Sequence, residues 1–300
     1  MPILPLSLAS VFASLAALAG PAHDTTHTDG TSVLAEAAPE LGDVAWTRGL
    51  DAAKARSRTS GKPVLVLFDE VPGCATVNAF AAGPLSHPLL VEAAETLFEP
   101  VLVYNNRSED DAICEAWGEP RWNNPVLRSI DADGHERAHR FAGPYTEAAT
   151  ARFLTSALGD AAPPWLSDLA DELEARGRAQ TATYAMACFW SGEAHLGQAD
   201  GVLATRTGWQ GGQEVVEVIY DPHTVDAATL DAFARAGRSQ PAAAGSLAPT
   251  PKDDRHALKR TKWASVWMTP RQATRANALA AAGGEPSSVL SPRQQAAAGD

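Results

Sequence analysis

TATYAMACFWSGEAHLG, from Thr181 to Gly197, sets an apolar run against a segment of helix-like composition, with Cys188 where the one gives way to the other. TATYAMA reads as a buried strand with incomplete alternation, and SGEAHLGQA reads as a helix that starts between Phe189 and Ser191. Such a junction aims unpaired backbone N–H groups at the sulfur and favours a thiolate. A helix terminus contributes only about 0.3–1 kcal/mol, so further hydrogen bonds or a positive neighbour must add to it. The competing reading of Cys188 is a plain core thiol, since cysteine is among the most buried residues.

Downstream, Gly201 to Thr207 is strand-like, Trp209 to Gly212 reads as a turn, and Glu214 to Tyr220 alternates as a strand ending at Asp221-Pro222. ATLDAFARA is a helix, GRSQPAAAGSLAPTPKDD a loop, KWASVWM a further strand, and TPRQATRANALAAAGG a helix started by Thr269-Pro270. Taken in order, ACFWSGE, GVLATRTGWQGG and QEVVEVIYDPHTVDAATLDAF resemble the successive motifs of peptide methionine sulfoxide reductase A. That family carries GCFWG, then PGV.ST..GY.GG, then HAEVV.V.YDP. The resemblance covers about residues 181–238 well and the remainder of the C-terminal part weakly.

The resemblance implies thiol-dependent reduction of methionine S-sulfoxide, free or in peptides, with Cys188 attacking sulfur and becoming a sulfenic acid. Phe189 and Trp190 would form the cup for the methyl group, Glu214 would protonate the sulfoxide oxygen, and Tyr220 and Trp209 would help bind substrate. A carboxyl beside a thiolate keeps its proton only if it is buried. Glu193 lies roughly 140° round the helix from Cys188 and reads as a surface or supporting residue. The resemblance implies an external thiol reductant such as thioredoxin, no cofactor and no metal. Between TGWQGG and EVVEV the family has a longer connection with a tyrosine, absent here, and Gly212-Gln213 replaces its histidine-alanine pair. Its second tyrosine falls near Lys262 or Trp263 in RHALKRTKWASVW, and no cysteine follows Cys188. These departures imply a weakened or altered reductase.

With 300 residues the chain has room for two domains, and its net charge of −12 without a basic patch excludes nucleic acid as a partner. Its 3 cysteines, Cys74, Cys114 and Cys188, are too few for a disulfide scaffold and enough for a thiol relay. Residues 1–19 read as a signal peptide cleaved after Ala17-Leu18-Ala19, implying export to a periplasm or the exterior, with a membrane anchor as the alternative. Residues 20–40, with His23 and His27, read as a flexible linker rather than a metal tract.

In residues 41–160, a helix over DVAWTRGLDAAKARSRTSGK ends at Gly61 and the strand PVLVLF follows. A helix start at DEVPGCATVNAF, a helix and strand in LLVEAAETLFEPVLVYNN, a hairpin turning at DADG and the helix TEAATARFLTSAL complete it. This alternation predicts an α/β layer, and it resembles the thioredoxin fold. The resemblance places Cys74 as the attacking cysteine, Val77 where a second cysteine would stand, and Pro125 at the cis-proline position. Cys74 is then either a redox thiol or a buried turn residue. Cys114 reads either as a semi-buried helix residue or as a further redox partner in the relay, and any of Glu109, Asp110, Asp111 and Glu115 that approach its sulfur should raise its pKa.

The expected architecture is therefore α/β: a thioredoxin-like domain over 41–160, a linker helix within 161–180, an α+β reductase-like domain over 181–290 and a disordered tail over 291–300. In the relay, Cys74 resolves the Cys188 sulfenic acid. The alternatives are an inert binding or scaffold domain, or a thiol oxidoreductase acting through Cys74 alone.

Overall fold

Six consecutive buried residues, Val64–Asp69, form the strand β1 at the centre of the first sheet. Its apolar run is unbroken because both faces are covered. Val64, Val66 and Phe68 pack with Leu50, Ala53 and Cys114 on one side, while Leu65 and Leu67 pack with Phe80, Leu89 and Leu154 on the other. The covering residues come from α1 (Leu50–Ser60), α2 (Ala75–Ala82), α3 (Pro88–Leu97), α4 (Asp111–Trp117) and α5 (Glu147–Leu158). Parallel β2 (Glu99–Tyr104) and antiparallel β3 (Val126–Ile130) flank β1, giving the order β2-β1-β3. The hairpin falls where DADG predicts it, with Asp131 Oδ1 accepting the N–H groups of Asp133, Gly134 and His135.

The computed structural model describes residues 34–35, 37–243 and 245–299. The signal-peptide reading of residues 1–19, and His23 and His27 of the linker, lie outside the described residues. The end of the expected linker is structured. Leu34 pairs with Thr47, the Ala35 N–H donates to the Trp46 carbonyl at 2.8 Å, and Leu41 is buried. For the same reason α1 starts at Leu50 rather than near Asp43: Thr47 is spent on a parallel bridge to Val101, and Gly49 turns the chain at φ 93°. Among the described residues no helix is long and apolar enough to cross a membrane.

After α6 (Pro164–Arg176) the chain builds a second, antiparallel sheet. Its strands are β4 (Gln180–Met186), β5 (Val202–Gln210) and β6 (Gln213–Tyr220), with the short edges β7 (Gln240–Pro241) and β8 (Ala248–Pro249). The order is β7-β4-β6-β5-β8. α7 (Phe189–Leu196) and α8 (Ala227–Ala236) cover Tyr184, Val216, Val218 and Tyr220. The edges lie in the stretch expected to be loop. The expected turn at Trp209 is shorter than read: β5 runs to Gln210, and only Gly211 and Gly212, at φ 56° and 80°, make the hairpin. The fold is thus mixed α/β, with two separate sheets inside one compact unit, Val33–Asp300.

KWASVWM is not a strand. Bonds from Ala264 N–H to the Thr261 carbonyl and from Val266 N–H to that of Trp263 coil it into turns, and Trp263, Val266 and Met268 join Leu258 and Ala273 in a local cluster beside α9 (Pro270–Ala281). Nor is the C-terminal segment a disordered tail. α10 (Pro292–Ala297) starts from a Ser291/Gln294 capping box, and the buried Glu92 accepts both the Ser291 hydroxyl and the Arg293 N–H. Glu172 on α6 does the same for α9 through Thr269 Oγ1 at 2.5 Å. Arg178 grips Asp221 with two bonds of 2.7 and 2.8 Å.

Candidate active site

Met186, the last residue of β4, lies opposite Glu214 on β6, and Glu214 lies opposite Trp209 on β5. From that rung the chain leaves the sheet, and Cys188 becomes the N-cap of α7 with extended dihedrals, φ −148° and ψ 115°. The Phe189 N–H, the first of the helix, donates to Glu214 Oε2 at 2.7 Å. An acid 26 positions away in sequence, by the residue numbers, is thereby held against the peptide that follows the thiol. Cys188 is a half-buried free thiol, and Glu214 is half-buried rather than fully enclosed.

The helix also explains the paired aromatics. Successive helical residues diverge by about 100°, so Phe189 turns into the core at 6 % exposure while Trp190 stays 40 % exposed. The Phe189 ring meets Trp190 and Trp209 edge-on, each at 6.0 Å between centroids. Trp209 also keeps 42 % of its surface open. Trp190 stacks on His256 at 3.8 Å with 7° between the planes. Gly192 lets Met186 lie against α7: a Cβ there would sit 1.8 Å from Met186 Sδ, so a larger residue would require that side chain to move.

Glu193 is not on the surface. Its side of α7 turns toward β5 and α9, and it is 1 % exposed. It accepts Thr205 Oγ1–H at 3.2 Å, the Arg255 N–H at 2.8 Å and Asn277 Nδ2–H at 3.3 Å. Burial pushes its pKa up to about 7 against those hydrogen bonds. Tyr220 is not brought to Cys188: it lies at the opposite end of β6 from Glu214, about 20 Å along the strand, with its hydroxyl donating to Gln180 Oε1 at 3.1 Å. Tyr220→Phe is therefore expected to lower stability by about 1 kcal/mol, read by thermal melts. Trp263 belongs to the cluster of Leu258 and Met268, with the Lys262 ammonium 4.7 Å over its ring. Neither stands in for the family's second tyrosine among the rings around Phe189.

Cys74 caps α2 and is exposed. Its N–H donates to Glu70 Oε1 at 3.0 Å, and its thiol donates to Asn124 Oδ1 at 3.7 Å. Val77 is buried. The cis X–Pro bonds among the described residues are Val71–Pro72 and Gly143–Pro144. The Asn124–Pro125 bond is therefore trans, correcting the cis-proline expectation, and Pro125 leads directly into β3, as an extended residue before proline permits. Cys114 is 3 % exposed with its sulfur 3.9 Å from the Tyr104 carbonyl, and burial, then Asp110 and Asp111, raise its pKa. A core thiol held protonated is a poor exchange partner, which corrects the redox role expected of it. Asp69, at the end of β1, is fully buried with Oδ2 unpartnered, and burial pushes it up to about 8.

A cavity of about 120 Å³ lined by Leu89, Glu172 and Arg271, and another of about 420 Å³ beside residues 34–46, include neither Cys188 nor Glu214. Among the described residues no group of three or more His, Cys, Asp or Glu is placed to hold a metal ion. His256 is the site residue that sequence reading missed. It lies in a turn-rich stretch where neither helical nor strand periodicity marks a residue, and only its place in RHALKR, the segment aligned with the family's later motif, pointed near it. No protein-family model matches the chain, and no curated protein matches it.

Proposed function

We propose that this protein reduces methionine S-sulfoxide through Cys188, as a shortened relative of peptide methionine sulfoxide reductase A carried behind a thioredoxin-like part. The observation that carries the reading is the 2.7 Å bond from the Phe189 N–H to Glu214 Oε2, which holds a carboxyl group against the peptide that follows Cys188 at the start of α7. The rings of Phe189, Trp190 and Trp209 supply an apolar face next to it. The thioredoxin-like reading draws support from the β2-β1-β3 order and from Cys74 at the cap of the helix after β1.

Cys188 attacks the sulfoxide sulfur while Glu214, half-buried and able to take up a proton from solvent, passes that proton to the oxygen. The S–O bond of the substrate is exchanged for one on Cys188, so the thioether leaves and Cys188 becomes a sulfenic acid, oxidised by two electrons. A thiol then attacks that sulfur, water leaves and a disulfide forms; a second thiol restores Cys188 and carries the disulfide away. Cys74, exposed at its helix cap, is the internal candidate for the first of these thiols; an external dithiol then reduces the Cys74–Cys188 disulfide back to two thiols and leaves as its own disulfide. The family's tyrosines have no counterpart here, and each lost hydroxyl donor withholds about 1–3 kcal/mol, so turnover is slow for this chemistry.

The test is incubation with each epimer of N-acetylmethionine sulfoxide and dithiothreitol, with the thioether quantified. The S epimer alone is expected to be consumed above the thiol-only rate. Consumption of neither epimer would end the proposal.

A further inference from the structure

The ring of His256 makes no hydrogen bond among the described residues; its contact is the parallel stack on Trp190. The segment that presents it is fixed from three elements. Thr207 on β5 donates its N–H and its hydroxyl to Asp254 Oδ1 at 2.7 and 2.8 Å. Glu193 on α7 accepts the Arg255 N–H at 2.8 Å, and Asn277 on α9 accepts the N–H groups of Ala257 and Leu258 at 3.0 and 3.1 Å. Arg255 sits at φ 55°, a left-handed conformation that a side-chain-bearing residue keeps only when its surroundings determine it. The backbone on both sides of His256 thus has one pose, and a half-buried imidazole with no polar partner is laid flat on the ring that follows Cys188.

We propose that His256 is a positioning residue: it holds Trp190 as the fixed wall of the apolar face beside Cys188 and so sets how tightly the thioether substituents of the substrate bind. The inference rests on the sulfoxide-reductase reading for its substrate and on the stack alone for its mechanics. The other ring against Trp190 among the described residues is Phe189, and the indole is two-fifths exposed, so without the His256 stack it would swing toward solvent and leave the methyl group one wall short.

The experiment pairs kinetics with a readout that needs no turnover. His256→Ala is expected to raise KM for the S-sulfoxide about threefold to tenfold, the range of an aromatic pair, with kcat within about twofold. His256→Phe, which can still stack, is expected to restore KM. In parallel, acrylamide quenching of tryptophan fluorescence is expected to rise in His256→Ala, to return in His256→Phe, and to be insensitive to His256 once Trp190→Phe has removed the reporter. Unchanged quenching in His256→Ala, or a loss carried by kcat that phenylalanine does not rescue, would overturn the proposal. A wild-type protein inactive on both epimers would overturn the reductase reading instead, and the quenching series would still decide whether His256 holds Trp190.

Discussion

Exchange of Cys188 for serine is expected to remove sulfoxide reduction, by on the order of 10³-fold or more, equivalent to about 4 kcal/mol of barrier. A hydroxyl is a poor nucleophile without a dedicated base, and Glu214, bonded to the next peptide N–H, is assigned to give a proton rather than take one. The same exchange costs the fold little. Cys188 caps α7 without a side-chain hydrogen bond, and serine is a favoured residue at that position. Thermal melts should therefore stay level or rise slightly while the rate disappears, which separates chemistry from folding. Glu214→Gln is the companion variant: its amide oxygen can still accept the Phe189 N–H, yet it has no acid proton, and a loss of about 10²- to 10⁴-fold follows for general-acid catalysis. Reduction that survives Cys188→Ser and vanishes in Cys74→Ser would move the activity to the first sheet.

Asp69→Asn is expected to make the protein more stable at pH 8 and not at pH 4. Asp69 is fully buried, one oxygen is unpartnered, and its pKa is raised from 3.8 to about 8 by burial, with Glu70 and Glu40 adding to it. An acid whose folded pKa lies above its unfolded one contributes stability below the unfolded value and loses it as pH rises through the folded one. In the wild type this contribution falls from about pH 4 to about pH 8, by up to about 1.4 kcal/mol per pH unit, a few kcal/mol in total. Glu193, raised to about 7, bends the curve the same way over a narrower window. Asparagine keeps an acceptor for the Glu70 N–H, bonded here at 2.9 Å, and does not ionise. Its unpaired amide costs roughly 1 kcal/mol at pH 4, less than the gain at pH 8. Denaturant unfolding at pH 4, 6 and 8 decides it: a deficit of the same size at every pH would show that Asp69 does not titrate in this range.

Much of this was legible because it was local. The unbroken run of β1 between helices required a sheet covered on both faces, Asp131 and Gly134 marked the hairpin turn, and the alternation of Glu214 to Tyr220 marked the strand that carries Glu214. What failed depended on partners remote in sequence. Nothing near Ser291 indicates that Glu92, on α3, will bury and cap it. KWASVWM has the composition of a strand, yet Trp263 and Met268 were wanted by a cluster beside α9 and Trp267 by the core around Leu89. Helical geometry placed Glu193 away from Cys188 but could not say that β5 and α9 would enclose that side. Tyr220 illustrates the reverse error: a residue carried over from a motif proved to lie a full strand length from the acid it was grouped with.

The most direct measurement is a single turnover without reductant. Cys74→Ser protein, reduced and freed of thiol, is mixed with one equivalent of the S-sulfoxide and a sulfenic-acid trap, then mapped by peptide mass spectrometry. The account predicts one thioether released for each trap adduct, with the adduct on Cys188. Thioether release with Cys188 unmodified, or no release at all, would contradict it.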